Sequence, residues 1–175
     1  MRVKKITDLN RISVEEFKET KKTPLAIILD NVRSLNNIGS VFRTSDAFLV
    51  ESICICGISA TPPNIEIHKT ALGAEDSVDW KYFETTQDAV AYMKEKGFSI
   101  CAVEQAENSI MLDELKLNKE KKYCLVLGNE VKGVQQEVVN LCDFCVEIPQ
   151  RGTKHSLNVS VATGIVIWEF FKKLT

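Results

Sequence analysis

No stretch of this chain is apolar for the roughly 20 residues that a helix needs to cross a bilayer. Its first eight residues, Met1 to Asp8, hold no apolar run of the kind that directs export. An excess of positive charge is also missing. The 22 Lys and Arg stand against 24 Asp and Glu, a formal net charge of −2, which excludes a protein that coats nucleic acid along its whole surface. Internal repeats and low-complexity segments are absent too. These absences leave a soluble, cytoplasmic protein as the expectation, with no membrane partner, in which any polyanion is held by a local patch. What is present, 175 residues that are 45% hydrophobic and 26% charged, has the size and mix of one globular domain with a real core.

The charge is unevenly spread. Residues 1–22 carry seven Lys or Arg and four Asp or Glu, a local charge of +3, so the remainder sums to −5. Ser13-Val14-Glu15-Glu16 fits a capping box that opens a short helix to about Lys21. This basic arm, residues 1–23, reads as an appendage to a single domain over residues 24–175. Six cysteines (Cys54, Cys56, Cys101, Cys124, Cys142 and Cys145) lie mostly inside apolar runs, so reduced, buried thiols are expected. The alternative is zinc held by Cys54-x-Cys56 and Cys142-x-x-Cys145. Neither pair is framed by the Gly-rich knuckle that such sites favour, and no metal is expected.

Beyond the arm, apolar runs alternate with helical patterns. Strands are expected at Leu25 to Leu29, Ser52 to Cys56, Trp80 to Phe83, Phe98 to Val103, Tyr123 to Leu127 and Phe144 to Ile148. Helices are expected at Ile38 to Leu49, Glu66 to Leu72, Gln87 to Lys96, Val134 to Leu141 and from near Ser156 through Phe171. Strands that are almost continuously apolar, each followed by a helix, predict an α/β domain with a mainly parallel sheet of about six strands covered on both faces.

Ligands of such sheets gather at the carboxyl ends of the strands, which makes the loops there informative. The first, Asn31 to Gly39, leads into a helix carrying Arg43. Free N–H groups and a planar cation there form a clamp for phosphate or carboxylate, unless Asn37 merely caps the helix and Arg43 pairs with an acid. The second, Gly128-Asn129-Glu130-Val131-Lys132-Gly133, brackets a carboxylate with two glycines. It lacks the Gly-Lys-Ser/Thr ending of a P-loop and the spacing of a dinucleotide fingerprint, and is otherwise a tight turn before a helix. The third runs from Ile148 through Arg151, Lys154, His155, Ser156, Leu157 and Asn158 to Ala162. Ser156 is the expected N-cap of the last helix, and the polar chemistry at its mouth exceeds what a cap requires. His68 is expected in a surface or packing role.

Together, in this order, the three segments resemble the motifs of the SpoU (TrmH) family of RNA ribose 2′-O-methyltransferases, of the knotted SPOUT superfamily. The resemblance covers Leu25 to Phe171, and Ser-Leu-Asn-Val-Ser-Val-Ala at 156–162 is its most specific part. It implies a C-terminal deep trefoil knot, an exception to the rule that chains avoid knots. It also implies S-adenosylmethionine bound by the loops at Val103, Gly128 and Ile148 and by Leu157, and a homodimer whose last helix lies at the interface and whose site is completed across subunits. Arg43 matches the family's catalytic arginine, while Asn37, Glu130, Ser156 and Asn158 match its other polar positions. Only the short arm precedes Leu25, so recognition of a structured RNA, tRNA ahead of rRNA, is expected to fall to the catalytic dimer and to Lys21, Lys22 and the rest of the arm, with Arg33, Arg151 and Lys154 nearer the site.

Overall fold

Alternate residues of a strand point to opposite faces of a sheet, so a strand that is apolar at every position calls for a cover on both sides. The computed structural model describes residues 1–175, the side chain of Ile6 excepted. Its elements are α1 (Val14–Glu19), β1 (Thr23–Asp30), α2 (Leu35–Ala47), β2 (Val50–Cys56), α3 (Ile65–Ala71), α4 (Ala74–Ser77) and β3 (Trp80–Phe83). They continue with α5 (Thr86–Glu95), β4 (Phe98–Val103), β5 (Ile110–Met111), β6 (Lys122–Leu127), α6 (Gln136–Val139), β7 (Phe144–Glu147) and α7 (Val159–Leu174).

The strands form one parallel sheet in the order β3-β2-β1-β6-β4-β7-β5. Leu25, Ile27 and Leu29 of β1 join a core with Ile38, Val41 and Phe42 of α2 and Val166, Ile167 and Phe170 of α7. Ala26 and Ile28, on the opposite face, pack with Ala89, Val90 and Met93 of α5 and Val138 of α6. Each fully buried large side chain contributes on the order of 1.5–3 kcal/mol. Register puts Leu29, Leu127, Val103 and Val146 level across β1, β6, β4 and β7. The four central strands therefore end on one rim, from which Asp30, Gly128, Glu104 and Glu147 follow.

Asp30 is fully buried at that rim, where such a carboxylate needs several donors. It accepts hydrogen bonds from Asn31 Nδ2, Thr86 Oγ1, Gln135 N and Gln135 Nε2 at 2.6–2.9 Å, tying the ends of β1, α5 and α6 together. Among the described residues no helix is long and apolar enough to cross a membrane.

Several features differ from the sequence reading, among them the short helix α4, which no pattern marked. A seventh strand exists, β5, only two residues long and too short to carry a period. The helix expected at Val134 to Leu141 is regular only over Gln136–Val139. The helix with Arg43 starts at Leu35, three residues early, because the Ser34 hydroxyl accepts from Asn37 N and takes the cap. The last helix starts at Val159, with Asn158 and not Ser156 as its N-cap, because Asn158 Oδ1 accepts from Ser160 N and Val161 N. The arm is docked at one point. The capping box at Ser13 forms as expected, and Phe17 of α1 is buried in the core at 3% exposure. Phe17→Ala is expected to lower unfolding free energy by about 3 kcal/mol and to make residues before Thr23 the first site of limited proteolysis. Urea denaturation and mass mapping of the fragments test this.

Candidate functional site

The rim brings three distant loops into one hydrogen-bonded chain. Glu130, in the turn after β6, reaches across to the start of α2. Its Oε2 accepts from Arg33 N and its Oε1 from Ser34 N, each at 2.9 Å, and Oε1 also accepts from Asn37 Nδ2 at 3.0 Å. Asn37 Oδ1 in turn accepts from Asn158 Nδ2 at 3.1 Å, and Asn158 caps α7 with its Oδ1. Glu130 thus serves N–H groups some 95 residues away in sequence. The donors inside its own turn, Val131 N and Lys132 N, are served by Asn129 Oδ1 instead. Asn129 Nδ2 anchors the same turn to Asn31 O at 2.8 Å.

Burial pushes the Glu130 carboxyl upward, but the Arg33 and Ser34 N–H groups and the Asn37 amide outweigh it and hold the group below its ordinary range. It is therefore a fixed anion whose negative charge meets the start of α2, where helical N–H groups favour one.

Beside this junction lies a cleft of about 680 Å³ between the carboxyl ends of β4, β6 and β7, a volume typical of small-molecule sites. Val103, Gly128, Ile148 and Leu157, the four positions singled out for a cofactor, all line it, as do Glu130, Ser156 and Asn158. Val103, Leu127, Ile148 and Leu157 give it apolar walls, with strand-end backbone and Gln150 between them. Such a mixture suits a flat base flanked by polar groups. The 128–133 turn beside the cleft closes on itself, Asn129 and Gly133 exchanging both backbone hydrogen bonds. A Cβ on Gly128 would stand 2.1 Å from the Gly133 carbonyl carbon, and Gly133 has φ +67°.

The other predicted residues fall around this centre. Asn37 and Arg43 are separated: Asn37 is buried at the junction, whereas Arg43 lies exposed on α2 outside the cleft. Among the described residues no hydrogen bond or ion pair within the chain engages the Arg43 guanidinium. Ser156 stands in the exposed loop between β7 and α7, with Arg151 and Lys154. The loop is tethered by Gln105 Nε2, which donates to His155 O. Arg33 and Lys21 are exposed. Lys22 is held differently: its ammonium donates to the carbonyls of Phe17, Lys18 and Thr20 and stacks on the Phe17 ring, closing the end of α1. His68 pairs with Glu75 at 2.5 Å, away from the cleft. Burial pushes the thiols of Cys54 and Cys56 up to about 12, and both pack into the face beneath α5.

Two groups at the rim escape a sequence reading, Glu104 and Asp30. Both are acids at the last residue of a strand or the one after it, the only local signal that either offers.

A family model described as "SpoU rRNA Methylase family" matches residues 24–168. The 23S rRNA (guanosine-2′-O-)-methyltransferase RlmB of Nitrosomonas europaea is 32% identical over 170 residues, 96% of this chain and 64% of that protein. The solved TrmH/SpoU tRNA modifying enzyme of A. aeolicus is 28% identical at a TM-score of 0.79, covering 91% of this chain and 81% of that one. The AdoMet-bound rRNA methyltransferase of Sinorhizobium meliloti is 25% identical at a TM-score of 0.80, covering 91% and 60%. The chain therefore spans less than two thirds of two of these proteins.

The junction has a pH signature. Because the folded-state pKa of Glu130 is depressed, its stabilising contribution is complete above the unfolded value of ~4.3 and is lost as pH falls through the folded value. Glu130→Gln offers one oxygen to several donors and turns an NH₂ toward the rest. The stability gap between wild type and Glu130→Gln, measured by denaturant unfolding from pH 7 to pH 3, is expected to be constant down to about pH 5 and to shrink below about pH 4.

Proposed function

The chain belongs to the SpoU rRNA Methylase family, and we propose on that basis that it transfers a methyl group from S-adenosylmethionine to a ribose 2′-hydroxyl of a structured RNA, with tRNA as the first substrate. The observation that carries this reading is the junction itself. The polar residues matching the family's three motifs, Asn37, Glu130 and Asn158, form one hydrogen-bonded chain at the mouth of a nucleoside-sized cleft.

The cleft fits the cofactor. Its apolar walls, Val103, Leu127, Ile148 and Leu157, would hold the adenine, and strand-end backbone at Gly128 its polar edge. When bound, the cofactor supplies an electrophilic methyl on a sulfonium. The protein's task is to orient the hydroxyl, exclude water and accommodate the departing proton. Asn37 and Glu130 fix the start of α2, and Asn158 fixes the start of α7, so the two helices bordering the site hold one relative position. Ser156, which lines the cleft, hydrogen-bonds the ribose in this reading. Arg43, charged at any physiological pH, grips the phosphate and ribose of the target nucleotide rather than accepting its proton. Arg33, Arg151 and Lys154 add phosphate contacts from the exposed loops, as does Lys21 from the arm.

A second copy of the chain completes this arrangement. Supporting it are Arg43, exposed outside its own cleft, and the α7 face of Val161, Ile165 and Trp168, respectively 52%, 39% and 47% exposed. A deep trefoil knot belongs to the same reading. It is supported by the sheet order, in which β7 is separated from β1 by β6 and β4 while α7, which follows β7, packs on β1 and α2.

Purified protein incubated with methyl-labelled cofactor and separate tRNA and rRNA pools lacking the mark is expected to label tRNA in alkali-resistant dinucleotides, the product of a blocked 2′-hydroxyl. Label in rRNA alone would reassign the substrate, and alkali-labile label or none would overturn the reaction. Arg43→Ala should cut transfer by about a hundredfold or more while leaving cofactor affinity unchanged. A collapse of cofactor binding would put Arg43 on the wrong side of the reaction. Trp168→Glu should convert a dimer to monomers in sedimentation and abolish transfer with it.

A further inference from the structure

Glu104 is the first residue beyond β4 and lines the cleft, in a position no motif of the sequence marks. Its backbone extends the sheet, with Glu104 N donating to Val146 O at 3.1 Å. Its side chain turns toward the neighbouring loop: Oε1 accepts from Gln105 N at 2.8 Å and Oε2 from Val134 N at 3.0 Å. A Cβ on Gly133 would come within 2.3 Å of Oε2, so the 128–133 turn is glycine where it passes this carboxylate. Glu104 therefore clasps the loops after β4 and β6, both of which line the cleft.

The clasp leaves acceptor capacity over. A carboxylate has about four lone-pair sites, and backbone N–H groups occupy two. Glu104 lines the same cleft as the apolar wall that begins at Val103, one residue earlier. A group next to a base in such a wall is a sugar, and a carboxylate at a strand's carboxyl end is a natural acceptor for its hydroxyls. Resting on the reading of the cleft as a cofactor site, we propose that Glu104 is a cofactor-positioning residue that accepts hydrogen bonds from the ribose hydroxyls of the bound nucleoside.

Calorimetric titration with S-adenosylhomocysteine and with its analogue lacking both ribose hydroxyls tests this without turnover. The wild-type protein is expected to bind the parent about tenfold or more tighter than the analogue, the size of a charge-assisted hydrogen bond. Glu104→Gln is expected to weaken the parent by about tenfold and to lose most of this discrimination. A purely structural clasp would weaken both ligands alike and leave the ratio intact, which overturns the proposal. So does a wild-type protein that binds both ligands equally, a result that needs no variant to fold. Failure of the wild type to bind the parent at all overturns the cofactor reading, and this inference with it.

Discussion

The site rests on a single carboxylate. Glu130 meets three donors from the start of α2 and, through Asn37, is linked to the cap of α7. Without it, the N–H groups of Arg33 and Ser34, which lie in the exposed approach to α2, exchange a fixed carboxylate for water, and the tie between the two loops is lost. Among the described residues, the first turn of α2, the 128–133 turn and the start of α7 have no other shared anchor of this kind. The burial of Asn37 follows from the same contact, since an amide that deep must find partners for both its oxygen and its nitrogen.

The sheet makes that contact possible. A parallel arrangement with level central strands delivers the loops after β1, β4, β6 and β7 to one edge, though they lie more than a hundred residues apart in sequence at the extremes. Asp30 secures this edge from below by joining β1, α5 and α6, and Glu104 secures it between β4 and β6. Three carboxylates at one rim would repel each other if all faced solvent. Here each is turned to a different set of N–H donors, so their charge holds loops together instead of spreading the edge.

How much of this was legible in the sequence follows from how local each signal is. The strand Phe98–Val103 and the strand Trp80–Phe83 were readable to the residue, because mostly apolar, aromatic-rich runs bounded by polar or glycine turns carry their own limits. Helix starts were not. Asn37 and Ser156 each satisfied the local rule for a cap, yet Ser34 and Asn158 took those positions. The decision was tertiary: Asn37 is drawn to Glu130, which frees Ser34 to cap, and Asn158 uses one end of its amide for the helix and the other for Asn37. Glu104 and Asp30 were invisible for a related reason, since their partners, Val134 and Gln135, lie 30 and 105 residues away. The motif residues themselves could be named from sequence, but not the bonds between them.

The arm and Arg43 make the complementary point about what a lone chain presents. A basic segment reads from composition as free cations, but Lys22 is engaged by the carbonyls at the end of α1, and Phe17 fixes that helix to the core. Lys18 is thus displayed from a docked helix and Lys21 from the short segment between that helix and β1, which fixes where phosphate contacts from these two could fall. Arg43 is the reverse case. A guanidinium with five donors and, among the described residues, no acceptor, on the helix whose first turn is locked by Glu130, has its backbone position settled and its side chain placed to engage a group that approaches from outside. The junction therefore does more than close the cleft: by fixing α2, it fixes the base from which Arg43 projects.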